Sequence, residues 1–288
     1  QYVRVLGRPT AADRTMLHRF AEVRLRFAES SMEAWEQDQE ADFSALLTAF
    51  FEADDETAAL RSAARLLSTE DLASLEQALA HYRPRYREIW RAGVWVEPFL
   101  RATRKHRDAD RLADGLRRLA RFYGASLPLE PPPRVRLVPV PGGAGTHATA
   151  RGRNLLIELR PDDRIADAAS VLAHENAHLL FERMPERRRR ALEAVFLEHG
   201  DDGVAAWNLL REALPTALGQ GVFDRRFRRR AWTERAPWYH REDVDRYAKA
   251  IFPVVRRAFE RGRPLDRELA RDLWAAYPDR PGVSRRSP

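Results

Sequence analysis

Leu127-Pro-Leu-Glu-Pro-Pro-Pro133 is the stretch at which the chain changes character. Four prolines in seven residues exclude a helix interior, where each would remove an N–H and clash with the preceding turn. The same missing donor excludes a central strand. Upstream, the pattern from about Thr10 to Phe122 is helical. Leu17, Phe20, Ala21, Leu25 and Ala28 recur at three- and four-residue steps, which lays an apolar stripe along one helix face. Further helices are expected over Phe43–Phe51, over Glu56–Leu67 and, behind an N-cap signal at Ser68, over Asp71–Tyr82. Pro84 and Pro98 are expected to punctuate the next two segments, and Asp108–Tyr123 to form a helix ending at Gly124.

Downstream the period changes. Arg134-Val-Arg-Leu-Val-Pro-Val140 alternates as a strand does, and Gly142-Gly-Ala-Gly145 reads as a turn. Thr146–Ala150 and Asn154–Leu159 give two more strands about Arg151-Gly-Arg153, and Pro161-Asp-Asp163 ends this expected small β-meander. Helices follow at Ile165–Glu182, Arg187–Glu198, Val204–Ala213, Arg241–Arg261 and Leu265–Ala276. The expected class is therefore α+β, mostly α, with a helical region over 1–126 and a second domain over 127–288.

The Ile165–Glu182 helix contains Val171-Leu-Ala-His174-Glu175-Asn-Ala-His178-Leu-Leu180. Two histidines four apart lie one above the other on a helix face, so both imidazoles reach one ion. Glu175 follows the first histidine, where it can accept a proton from a water that the metal activates. Asn176 and Ala177 are uncharged and the flanks are apolar, as a buried, rigid helix requires. With no cysteine in the chain, any metal must be held by histidine and carboxylate.

From about Arg134 to Tyr239 the chain resembles the zincin metallopeptidases; the N-terminal helices carry no such resemblance. It implies a zinc cofactor, a peptide or protein substrate, and a substrate laid in extended form along an edge strand, for which Thr146–Leu159 is the candidate. Catalytic zinc takes a third protein ligand and keeps one position open. The Met-turn type would place a Gly and a third His soon after the motif, and Phe181-Glu-Arg-Met184 has neither. The gluzincin type takes a glutamate from a later helix. Glu212, 34 positions after His178 on the helix bearing Ala205, Ala206, Leu209 and Ala213, fits best, and the small residues after it permit close packing. Glu198, His199, Asp201, Asp202 and Glu193 stand as competitors. The Asp that often follows the gluzincin ligand by four residues is here Thr216. The family also implies an oxyanion donor from downstream, for which Trp238-Tyr239-His240 offers Tyr239 or His240, with His147 a weaker candidate.

Composition bounds the alternatives. The 288 residues carry a net charge of +7 with a pI of about 10.2, almost wholly through arginine, since Lys occurs only at 105 and 249. Basic clusters at Arg187–Arg190 and Arg225–Arg230 raise the possibility of an anionic partner, but acids are interspersed and no aromatic-interleaved stripe accompanies them. Nucleic acid is thus not the expected partner. A zincin-like fold that binds without turnover is the other alternative, against which the intact Glu175 argues. No apolar run approaches a membrane span. The lack of cysteine and of a Met before Gln1 suits a periplasmic or extracellular chain, with the cytoplasm left open.

Overall fold

The computed structural model describes residues 10–21, 45–94, 96–105, 108–125, 133–140, 148–151, 153–163, 165–228 and 233–279. The chain is mostly helical with one small sheet, the α+β class expected. Its contacts divide it into two compact units that interleave along the sequence. One comprises Gln1–Pro98 and Pro133–Asp162, the other Phe99–Pro132 and Asp163–Pro288. The chain passes between the units at Pro98–Phe99, at Pro132–Pro133 inside the proline-rich stretch, and at Asp162–Asp163.

In the first unit, α1 (Ala11–Ala21), α2 (Glu56–Ala63) and α3 (Thr69–Ala92) accompany further helical turns over 45–52. Ser68 caps α3 as expected, its Oγ accepting the Asp71 N–H at 3.0 Å. The helix does not stop at Pro84 but runs through it. Pro84 is exposed, so water can take the carbonyl that the missing N–H frees, and His81 and Arg85 on either side are both held by Asp13 of α1.

The three strands expected are present as β1 (Arg134–Pro139), β2 (Ala148–Arg151) and β3 (Asn154–Leu159). They do not form a meander: the order is β1-β3-β2, with β1 parallel and β2 antiparallel to β3. Asn154-Leu-Leu-Ile-Glu-Leu159 is apolar at Leu155, Leu156, Ile157 and Leu159, which suits an interior strand covered on both faces. Only β2 can therefore be an edge within the expected Thr146–Leu159 segment, and Thr146 and His147 lie outside the described residues. Glu52 ties the sheet to its own unit, accepting from Arg153 Nε at 2.9 Å and from the buried Asn154 Nδ2 at 2.7 Å.

The second unit holds α4 (Val96–Lys105, most of it), α5 (Asp108–Tyr123), α6 (Ile165–Glu182), α7 (Glu186–Leu197), α8 (Gly200–Thr216), a π-helical turn (Ala217–Phe223), α9 (Asp224–Arg228), α10 (Glu242–Arg261) and α11 (Arg267–Ala275). Its core gathers Leu119, Phe122, Leu180, Phe196, Leu218, Phe223, Ile251 and Phe259. α10 shows how the pattern builds it. Val244, Tyr247, Ala248, Ile251, Phe252, Val255, Ala258 and Phe259 are buried at helical spacing, and Gly262 (φ 67°) ends the helix in the left-handed conformation that glycine adopts most readily. Among the described residues no helix is long and apolar enough to cross a membrane.

Candidate metal centre

α6 spans the residues the sequence pattern assigns to it, and along it Ala169, Ala173 and Ala177 form a fully buried seam of small side chains. That seam leaves His174 and His178 on an adjacent stripe, one turn apart. Opposite them runs one long helical rod: α8 passes through Pro215 and Thr216 into the π-helical turn. The wider turn carries Gly219 to the point of closest approach. A Cβ there would lie 2.6 Å from the Ser170 carbonyl oxygen and 3.0 Å from His174 Cβ, so only glycine lets the rod come this near to the histidine helix.

Glu212, about two turns before that crossing, reaches both imidazoles. Its Oε2 lies 3.6 Å from His174 Nε2 and 3.5 Å from His178 Nε2, while the two Nε2 atoms are 3.1 Å apart. Ligand atoms bonded at ~2.0–2.1 Å around one tetrahedral ion are roughly 3.3 Å from each other, so the residues present fit a single ion. Among the described residues no other three His, Cys, Asp or Glu side chains come together in this way. The His174 side chain is 8% exposed, that of His178 24% and that of Glu212 35%, so the group opens to solvent on the His178–Glu212 side.

The electrostatics follow from this convergence. Burial pushes the Glu212 carboxyl up, but the His174 and His178 imidazoles that face it outweigh that and hold the group well below the usual carboxylate range. Burial pushes His178 down, and Glu212, with help from Glu175 and Glu182, turns the balance so that its imidazole is raised above the ordinary value. The two shifts run in opposite directions because each group favours the charged form of the other. His174 Nδ1 is buried without a hydrogen-bond partner among the described residues.

Glu175 is 8% exposed and close enough for its charge to act on both His178 and Tyr239. Tyr239 belongs to the group: its hydroxyl donates to Glu212 Oε2 at 3.1 Å, and its ring runs parallel to that of His174 with centroids 6.1 Å apart. Burial, then the Glu212 charge and hydrogen bond, push its phenol up to about 12. His240 is exposed and meets the site only beside the Tyr239 ring, at 4.4 Å between centroids. The competing ligands lie elsewhere. Glu198 is exposed and faces Arg267 at 3.7 Å, His199 stacks on Trp274, and Asp201 and Asp202 stand exposed in the first turn of α8. An apolar cavity lined by Trp207, Leu210 and Leu214 opens on the face of α8 roughly opposite Glu212, at 3.6 residues per turn, so it is not part of this site.

Sequence reasoning missed two features. Asp245, in the first turn of α10, accepts backbone N–H groups from Trp238 and Tyr239. Gly219 sets the helix crossing; the run Ala217-Leu-Gly-Gln-Gly221 signalled close packing, though not the π-helical turn that delivers it. No family model, curated protein or solved structure matches the chain.

Proposed function

We propose that this chain is a zinc-dependent hydrolase of the zincin type, cleaving a peptide bond. The reading is carried by the convergence of His174 Nε2, His178 Nε2 and Glu212 Oε2 at near-tetrahedral spacing, with Glu175 buried beside them. Two imidazoles and one carboxylate suit zinc best among the common divalent ions. Such an ion supplies Lewis acidity when bound and makes water a nucleophile near neutral pH.

The chain's own residues perform the rest. His174 and His178 would hold the ion through Nε2 and Glu212 through Oε2. The Glu175 carboxylate accepts the proton of the attacking water and returns it to the leaving amine. Tyr239, a phenol whose ordinary pKa already lies far above neutral, remains a hydroxyl donor at neutral pH. Once Glu212 is committed to the ion, that hydroxyl is free to donate to the oxyanion. His240, at the rim, is the alternative donor. The peptide bond as substrate rests on the family resemblance of the motif.

The test is elemental analysis of the purified chain beside a His174→Ala/His178→Ala double variant, followed by a peptide-library screen. About one zinc per chain is expected, absent from the variant. Glu175→Gln should keep the zinc and lose turnover by about 10²–10⁴-fold. Equal metal content in both chains would sink the metal centre. Zinc without turnover on any peptide would leave a metal-binding protein in place of an enzyme.

A further inference from the structure

Tyr239 stands in a segment, 233–241, without regular secondary structure, yet its hydroxyl meets Glu212 at a defined distance. Something must order its backbone. Asp245 does so from the first turn of α10. Its Oδ1 accepts the Trp238 N–H at 2.6 Å and the Tyr239 N–H at 3.3 Å, while its Oδ2 takes Lys249 Nζ at 2.7 Å. The carboxylate is only 17% exposed, so solvent competes weakly for these donors. Lys249 also lies over the Trp238 ring, 5.8 Å from its centroid. The neighbouring Trp238 is anchored independently: Nε1 donates to the Thr233 carbonyl at 3.2 Å, and the ring packs edge-on against Phe252 at 5.2 Å. It fits there because Gly221 has no side chain; a Cβ at that position would come within 3.2 Å of the indole.

We propose that Asp245 is a positioning residue, fixing the backbone of Trp238 and Tyr239 so that the Tyr239 hydroxyl is presented at the metal-ligand group. Asp245 touches none of the candidate ligands and acts through Tyr239 alone. The kinetic consequence rests on the hydrolase reading; the structural one does not. Two N–H groups from consecutive residues converge on Oδ1, so the device needs an acceptor there, while the ion pair to Lys249 is made by the other oxygen and is given up in Asp245→Asn. Asp245→Asn keeps that acceptor and Asp245→Ala removes it.

The experiment has two arms. Amide hydrogen exchange over 233–241, in chain stripped of metal and in chain loaded with zinc alone, should quicken at least about tenfold in Asp245→Ala and stay near wild type in Asp245→Asn. In peptide hydrolysis, Tyr239→Phe should lower kcat about 100-fold. Asp245→Ala should lower it at least about tenfold with zinc content unchanged and KM within about twofold. The Asp245→Ala/Tyr239→Phe double variant should then be no slower than Tyr239→Phe, because both changes remove the same interaction. Unchanged exchange in Asp245→Ala, or penalties that multiply in the double variant, would overturn the proposal. If the wild-type chain turns nothing over, the hydrolase reading fails and the exchange arm alone decides. Should Asp245→Ala fail to fold, Asp245→Ser, too short to reach both N–H groups, takes its place under the same criteria.

Discussion

Each unit of this chain contains a carboxylate surrounded by histidine and other polar groups, and the two clusters are built on opposite plans. Asp13 is 1% exposed and saturated. Oδ1 takes His81 Nε2 at 2.8 Å and Arg85 at 2.9 Å, and Oδ2 takes the Thr10 N–H at 2.7 Å and hydroxyl at 2.8 Å. A permanent cation, Arg85, closes the cluster, and it is the chief reason the Asp13 carboxyl lies far below its ordinary pKa, with His81 and the Thr10 N–H adding to it. The side-chain partners of Glu212 are His174, His178 and Tyr239, with Arg241 acting on it through its charge. Its histidines stand at 3.5 and 3.6 Å, beyond good hydrogen-bond length, and their two Nε2 atoms turn toward each other at 3.1 Å. One arrangement is complete as protein; the other brings two imidazole nitrogens and a carboxylate oxygen within 3.6 Å of one another, a spacing that a cation would fit. Residue types alone do not separate a structural cluster from a ligand set.

The largest effect that would sharpen this contrast is loss of metal. Glu212→Ala should weaken zinc binding by at least about 100-fold, measured by competition with a chelating dye. Asp13→Ala should leave zinc affinity unchanged and lower the melting temperature by several degrees, since it leaves Arg85 and His81 without their partner. The contrast breaks if Glu212→Ala binds zinc as wild type does.

Proton linkage gives the next test. Glu212 is depressed below its ordinary 4.5, so its contribution to stability is present above that value and lost as pH falls through the lower folded value. His178 is raised above 6.5, so its contribution is full below 6.5 and lost as pH rises through the higher folded value. The metal-free chain is therefore helped by this pair most between those two limits. Zinc must displace the His178 proton. Its affinity should rise about tenfold per pH unit up to the raised value and level off above it, measured by titration calorimetry in buffers of differing ionisation enthalpy. A pH-independent affinity between 5.5 and 7.5, a range of about two units, would show that His178 gives up no proton and is not a ligand. Zinc added to His178→Ala provides the control.

Gly219→Ala tests the crossing that brings the two helical elements together. The new Cβ would meet the Ser170 carbonyl at 2.6 Å, and backbone cannot swing aside as a side chain can. The rod must shift, at a cost of about 1–3 kcal/mol in denaturant unfolding. Because Glu212 rides on the same rod, zinc affinity should fall with stability, whereas Gly262→Ala, at a helix end with open space around it, should cost stability alone.

Much of this was legible in advance, and the parts that were not have a common cause. The limits of α5 and α6 follow from the period of their apolar residues, and the histidine pair follows from the period of a helix. Glu212 stood out because a carboxylate sat on a helix otherwise rich in Ala and Leu. Strand order was hidden because it depends on which strand inserts between two others, and neither period nor turn residues encode that choice. Pro84 misled because its helix is held by tertiary bonds on either side, which local propensity does not contain. Nothing in the sequence marks Asp245, since an acid in a first helical turn is favourable to the helix dipole whatever else it does. In each case the missing information is a partner that the periods of helix and strand do not encode.

The smallest effect comes from making one substitution in both clusters. His81→Gln keeps a side-chain N–H within reach of Asp13 Oδ1, and Arg85 still binds both carboxylate oxygens. Its cost should be below about 1 kcal/mol, the net worth of one hydrogen bond, and zinc content should not change. His174→Gln is as conservative in volume and in hydrogen-bonding capacity, yet an amide is a poor zinc ligand beside an imidazole, so zinc should be lost while the fold persists. Equal tolerance of both changes would mean that the second cluster, like the first, is only a set of hydrogen bonds. Unequal tolerance, small at His81 and complete for zinc at His174, is the result expected if the second cluster holds a metal.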